Sequence, residues 1–273
     1  VLSRFRSKKE QKETLERLRK GGVDIIIGTH MLLGKDVVFK DLGLLIIDEE
    51  HRFGVRQKER FKRLKKTVDV LAMTATPIQR TLQMSLTSVR DLSIINTPPE
   101  DRLAIKTSII RFDENLIREA IERELKRGGQ VFFVHNRIED MGENGELLQR
   151  LAPQARIVAA HGRMKGEELE KKMLGFVERR YDILLSTAII ESGLDIPAAN
   201  TIIINRAHRF GLADLHQLRG RVGSSSHRAY AYFIVPDRAG LTEEAARRIE
   251  VIREHTEPGS GFNIAAYDLE IRG

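Results

Sequence analysis

Cysteine is missing from all 273 residues, which excludes a disulfide framework, a thiolate nucleophile and a Cys-type zinc site. The eight histidines show no HExxH-type spacing, so a zincin-type site is excluded too. Aromatic residues make up 5% of the chain, too few for a platform on which successive bases stack. Any nucleic-acid partner is therefore better suited to being tracked as a duplex, by its backbone. No apolar run is long enough to span a bilayer, and Val1 opens no signal-peptide pattern. No membrane partner is expected, and a reducing cytoplasm is the expected compartment. The phosphate-cradling pattern G-x-x-x-x-G-K-[ST] is also absent. Gly34-Lys35 and Gly162–Lys165 lack its glycine spacing and its following hydroxyl. There is no initiator Met; the chain opens in mid-pattern at Val1-Leu2-Ser3-Arg4-Phe5 and stops at Ile271-Arg272-Gly273, so both ends read as cut from something longer.

What is present reads as soluble and globular. The chain is 41% hydrophobic and 31% charged, and its length suits two ordinary domains. A formal net charge of +7 points to a polyanionic partner. Short Ile- and Val-rich runs fall at Asp24–Ile27, Leu44–Ile47, Val70–Met73, Val131–Val134, Ile157–Ala160, Ile183–Ser186, Thr201–Ile204 and Ala229–Val235. They do not alternate with polar residues, which predicts strands buried on both faces of a parallel sheet. Helical patterns lie between them, at Lys8–Leu18, Gln57–Lys65, Asn115–Lys126, Glu143–Leu151, Glu167–Val177 and Leu212–Leu218, and Thr242–Ile252 reads as one more amphipathic helix before Pro258-Gly259-Ser260-Gly261 breaks it. The alternation predicts α/β architecture. Two prolines at Thr97-Pro98-Pro99-Glu100-Asp101 mark the expected boundary. The expected domains are 1–98, 99–238 and a final helical region, 239–273.

Ligands of open parallel sheets bind at the carboxyl ends of strands, and the polar motifs sit there. Gly28-Thr29-His30 follows the first run, Asp48-Glu49-Glu50-His51 the second and Thr74-Ala75-Thr76-Pro77 the third. A strand ending in paired carboxylates can hold Mg²⁺ with the first and polarise an attacking water with the second. The second series offers Ser186-Thr187, then Glu191-Ser192-Gly193-Leu194-Asp195-Ile196-Pro197, then Gln217-Leu218-Arg219-Gly220-Arg221-Val222-Gly223. Glycines let backbone approach phosphate, and Arg221 has the character of an arginine finger. Taken singly, each motif also reads as a polar turn or a solvated charge; it is their order that carries weight. The stretch Arg56–Lys66 holds seven Lys or Arg and one Glu; it reads equally as a DNA contact or as a solvated helix face.

This ordered set resembles superfamily 2 nucleic-acid motors with two RecA-like lobes, the first lobe truncated at its N-terminal side. Val1–Phe5, Asp48–Gly54, Thr74–Pro77, Arg90–Ile95, Glu191–Arg206, Gly211–Gly223 and Asp268–Gly273 resemble the translocase module of the bacterial transcription-repair coupling factor family. The end, DLEIRG, is similar to the start of a translocation motif shared with RecG-type helicases. Those helicases usually carry Gln in place of Glu50 and lack the ESGLDIP…NTIIINRA wording found here.

The resemblance implies an ATP- and Mg²⁺-dependent motor on double-stranded DNA, with RNA polymerase and excision-repair proteins as partners of the parent. It implies that Asp48 coordinates Mg²⁺ through water, Glu49 readies the attacking water and His51 couples the site to the other lobe. It further implies that Thr74 and Thr76 link hydrolysis to lobe movement and that Gly193, Asp195 and Gly220 lie near the nucleotide. Gln217 and Arg221 would complete the site from the second lobe, and Thr29, His30 and Thr187 would contact DNA backbone. Three departures from the family pattern stand out. The missing phosphate loop predicts that this chain alone does not hydrolyse ATP appreciably. Ser224 stands where the family's second arginine is expected, and Gln79 stands where the family often has Pro. A RecG-type branched-DNA helicase and a catalytically weak DNA-binding pseudo-motor are the alternative readings.

Overall fold

Continuous apolar strands form the centre of the larger unit. Gln130–Val134 (β4), Ile183–Ser186 (β6) and Ala199–Ile204 (β7) are buried at every position, as runs without polar alternation require. The structure, a computed structural model, describes residues 1–2, 6–49, 53, 68–74, 93, 95, 103–188, 196–224, 227–255 and 260–272. The chain divides into two compact units, Val1–Ala75 and Thr76–Gly273. The Thr97–Asp101 boundary and the Gln57–Lys65 helix fall outside the described residues.

In the first unit, helix α1 (Lys8–Lys20) starts with a reciprocal capping box between Ser7 and Glu10 and ends at left-handed Gly21. Strands β1 (Leu44–Asp48) and β2 (Asp69–Met73) pair in parallel. The strand expected at Asp24–Ile27 is not one. Among the described residues its surroundings supply a single parallel bridge, Leu2 to Gly28, and Ile25 and Ile27 remain 81% and 68% exposed. Apolar character without a ladder of partners does not make a strand.

The second unit is a six-stranded, all-parallel sheet in the order β3-β8-β7-β4-β6-β5. Its outer strands are β3 (Lys106–Ile110) and β5 (Ile157–Ala160), with β8 (Tyr230–Ile234) between β3 and β7. Strand β3 was not anticipated from sequence.

Side-chain alternation sends the two faces of each central strand into different cores. Phe132, Val134, Leu184, Ile202 and Phe233 pack on one face against helices α4 (Gly166–Val177), α5 (Leu212–Arg219), α6 (Glu243–Glu254) and α7 (Gly261–Arg272). Val131, Phe133, Ile183, Leu185 and Ile203 pack on the other against α2 (Glu114–Lys126) and α3 (Met141–Leu151). The result is a three-layer α/β/α unit. Each fully buried Phe or Ile contributes about 1.5–3 kcal/mol, which fixes the strand ends where polar loops begin. The helices of the described residues include none long and apolar enough to cross a membrane.

Candidate functional site

In the first unit the polar groups gather where β1 and β2 end. Asp48 closes β1 in register with Met73 of β2. The chain then turns at Glu49, whose φ of 52° is left-handed, an uncommon conformation for a residue with a Cβ. A hydrogen bond from Glu49 N–H to Met73 O, 2.9 Å, fixes that turn. The Glu49 side chain is only 8% exposed, and the Thr74 hydroxyl donates to its Oε2 at 3.0 Å. Asp48, by contrast, is exposed. One carboxylate is therefore held inside the strand ends and the next stands open beside it.

Among the described residues no three His, Asp or Glu side chains converge as a closed metal cage. The open Asp48 carboxylate suits instead a Mg²⁺ that arrives with a nucleotide, because Mg²⁺ keeps several waters and binds through one or two carboxylates plus phosphates. Thr29 and His30 are both exposed and follow Gly28. A Cβ at Gly28 would lie 2.4 Å from Leu2 O, so the Leu2 bridge requires glycine there. His51 and Thr76 lie outside the described residues.

In the second unit Gln217 lies on α5, with Gly220 and Arg221 just past its end. The residue between, Arg219, is buried and donates from Nη1 to Ile252 O at 3.0 Å. Burial lowers its pKa to about 10, so it remains cationic at neutral pH, facing the carbonyl-rich last turn of α6. Gly193 and Asp195 lie outside the described residues. Thr187 is buried at the end of β6, beside β4, where His135 N–H donates to Ser186 O at 2.9 Å.

The carboxyl edge of this sheet carries residues that the sequence reading missed. His135 and Asn136 follow β4, and His161 follows β5. His135 Nδ1, Asn136 Oδ1, His161 Nδ1 and Ser186 Oγ are buried polar atoms with no hydrogen-bond partner among the described residues. Buried polar atoms are usually satisfied, so four orphans on one edge mark a place for a polar ligand. The signal available in sequence was positional: H-N-R and H-G-R each directly follow an apolar run, as G-T-H does.

A family model for the DEAD/DEAH box helicase matches residues 1–85, and one for the helicase conserved C-terminal domain matches residues 113–226. The transcription-repair-coupling factor of Staphylococcus epidermidis is 58% identical and that of Myxococcus xanthus 56% identical, each over the whole of this chain. The chain spans 23% of the length of both. Among solved structures, RecG bound to a three-way DNA junction is 40% identical with a TM-score of 0.77, covering 98% of this chain and 35% of that one. Two helicase domains in order, on parallel sheets of RecA-like type, and this identity over every residue make the chain similar throughout to a segment of the transcription-repair coupling factors.

Proposed function

We propose that this chain is the motor segment of an ATP-driven translocase on double-stranded DNA, in a longer protein that acts on stalled RNA polymerase and brings in excision repair. The observation that carries the reading is the Glu49 carboxylate, buried at the end of β1 and held by Thr74 from β2, with Asp48 open beside it. Bound MgATP would supply the transferable phosphoryl group. Asp48 would hold its Mg²⁺ through water, while Glu49 would orient the attacking water and accept its proton. Thr74 would sense the protonation of that carboxylate, because its hydroxyl donates more strongly to the ionised form. Arg221 and Gln217 would meet the phosphates of the nucleotide. Thr29, His30 and Thr187 would contact DNA phosphates, contacts that are sequence-independent and weakened by salt. The 273 residues contain no phosphate-cradling loop, so the longer protein has to supply one, and this segment by itself would not turn over ATP. The polymerase and repair partners follow from what the relatives are named for.

The test is phosphate release by the intact protein with and without duplex DNA. Stimulation by duplex, lost in Glu49→Gln, supports the reading; hydrolysis indifferent to both DNA and Glu49 overturns it. The 40% identity to RecG favours a second reading, a helicase of branched DNA. Displacement of a third strand from a linear triplex supports the translocase. Unwinding confined to three- and four-way junctions supports the second.

A further inference from the structure

Helices leave β4 and β7 toward opposite faces of the sheet: α3, which follows β4, packs on the Val131–Phe133 face, and α5, which follows β7, packs on the Phe132–Val134 face. Adjacent parallel strands whose connections part in this way open a crevice at their carboxyl ends, where open α/β sheets bind ligands. A cleft of about 800 Å³ lies there, lined among others by His135, Asp140, Asn205, Arg206 and Arg209.

Its polar groups are wired together. Asp140 occupies the N-cap position of α3, yet its side chain makes no capping hydrogen bond. Its Oδ2 instead accepts from His135 Nε2 at 3.0 Å and from Arg206 Nη1 at 3.1 Å. His135 is 1% exposed and Arg206 44%, so the network runs from the core to solvent and ends on a guanidinium. Arg206 sits in a left-handed conformation, φ 53°, and strain of that kind collects at ligand sites. The preceding residue is tied to the same helix: Asn205 Nδ2 donates to Asn144 Oδ1 at 3.1 Å, and Asn144 Nδ2 donates to Asp140 O at 2.6 Å.

Three arginines, Arg111, Arg206 and Arg209, and three carboxylates, Asp140, Glu143 and Asp237, line the crevice. Burial is the main cause that lowers the His208 pKa, and the charges of Arg209, Arg206 and Arg248 lower it further. Of these carboxylates Asp140 and Asp237 are engaged, with Arg206 and with Arg111, which leaves Glu143 as the third on the lining. Arg209 has no carboxylate partner among the described residues.

We propose that this crevice is a contact site for a phosphate of the DNA backbone, with Arg206 as the contact and Asp140 as the positioning residue that presents it. The proposal rests on the DNA-motor reading and adds to it a site on the β7 side of β4, beyond Thr187. Arg206 Nη1 is spent on Asp140, and Nη2 and Nε remain for two phosphate oxygens, the fork geometry that guanidinium offers. Because Asp140 uses one oxygen for both partners, an amide oxygen in its place can accept both bonds without the charge. Geometry and charge are therefore separable.

The experiment uses the intact protein carrying Asp140→Asn, Asp140→Ala, Arg206→Asn or Asp140→Ala with Arg206→Asn. Asn is chosen at 206 because it tolerates the left-handed backbone. Duplex-DNA binding is followed by fluorescence anisotropy across a salt series, and the ATP dependence of phosphate release is measured in parallel. Arg206→Asn should weaken duplex binding about tenfold, in line with loss of one charge-assisted contact, and reduce the slope of log K against log salt by about 0.9, one phosphate's share. Asp140→Ala should do the same, Asp140→Asn should bind like the parent, and the double variant should be no worse than Arg206→Asn alone. Tighter binding by Asp140→Ala would mean that the carboxylate merely repels DNA, and the proposal fails. It also fails if Arg206→Asn leaves Kd and salt slope unchanged, or raises only the ATP requirement, which would assign the site to a nucleotide. A parent protein that binds no duplex removes the motor reading with it; a salt-sensitive parent with insensitive variants removes the crevice alone.

Discussion

The Thr74 hydroxyl donates a 3.0 Å hydrogen bond to the Glu49 carboxylate, across the ends of two parallel strands. A hydrogen bond to a buried charged group contributes about 1.5–3 kcal/mol, enough to set which way the carboxylate points. The two residues do different work in the proposed reaction, and their variants should differ accordingly. Glu49→Gln keeps the shape and removes the base, so DNA-stimulated phosphate release should fall by about two to four orders of magnitude, with nucleotide still bound. Thr74→Ala keeps the base and loosens its orientation; a fall of about tenfold, from about 1.4 kcal/mol, is expected in kcat with little change in the KM for ATP. Steady-state kinetics on the intact protein separates the two, and equal losses would mean that Thr74 is more than a positioning group.

The central sheet was legible in the sequence because β4, β6 and β7 are runs in which every residue is apolar or buried, so tertiary packing and local pattern agree. Strand β3 reads Lys-Thr-Ser-Ile-Ile; its polar half carries no signal, and pairing with β8 at the sheet edge makes it a strand. Asp24–Ile27 is the converse, apolar but short of partners. The motifs at the strand ends were legible as words. The contact between Glu49 and Thr74 was not, since it depends on the register that brings Asp48 opposite Met73. His135, Asn136 and His161 were missed because a lone polar residue after a strand is indistinguishable from an ordinary turn until its neighbours on the edge are known.

Asp182 and Arg156 tie the starts of β6 and β5 together. Asp182 Oδ2 accepts from Arg156 N–H at 2.7 Å and from its Nε at 3.0 Å, and Oδ1 accepts from Nη2 at 2.8 Å. The Arg156 side-chain hydrogen bonds are the largest cause holding the Asp182 carboxyl below its ordinary value of 3.8. A depressed folded pKa contributes stability that is fully present above the unfolded value and is lost as pH falls through the folded one. Unfolding midpoints measured from pH 6 down to pH 2 should therefore show a shallower acid decline for Asp182→Asn than for the parent. At neutral pH the variant should be less stable, by about 1 kcal/mol at most for a partly exposed pair.

Gly129 is required by what lies opposite it. A Cβ there would fall 1.8 Å from Glu124 Oε1 and 3.2 Å from Ala198 O. Glu124 cannot easily withdraw, because it is buried and bound to both Arg127 and the Thr201 hydroxyl. Gly129→Ala should therefore destabilise the second unit by about 1–3 kcal/mol, the usual cost of overpacking. Hydrogen exchange in the intact protein should show faster exchange in β4 and β7, with β1 and β2 unaffected. A smaller partner at 124 should restore part of the loss: in Gly129→Ala with Glu124→Ala the clash with Glu124 is gone and only the tight approach to Ala198 O remains, though Arg127 and the Thr201 hydroxyl then lack their carboxylate.

In the proposed reaction, Ser224 bears on how much Arg221 has to supply alone. It is exposed, three residues beyond Arg221, at the position where the family pattern has a second arginine. An arginine finger accounts for about 10³-fold or more in the rate of phosphoryl transfer, so a motor reduced to Arg221 should be slow. Ser224→Arg in the intact protein should raise DNA-stimulated phosphate release by at least about tenfold, leaving duplex binding without nucleotide within about twofold. Arg221→Ala should abolish release in both backgrounds if Arg221 is the finger that remains. A parent that is already fast, and unchanged by Ser224→Arg, would mean that the charge on the transferring phosphoryl group is met elsewhere. His227 and Arg228, exposed on the same loop, would then be the next side chains to replace.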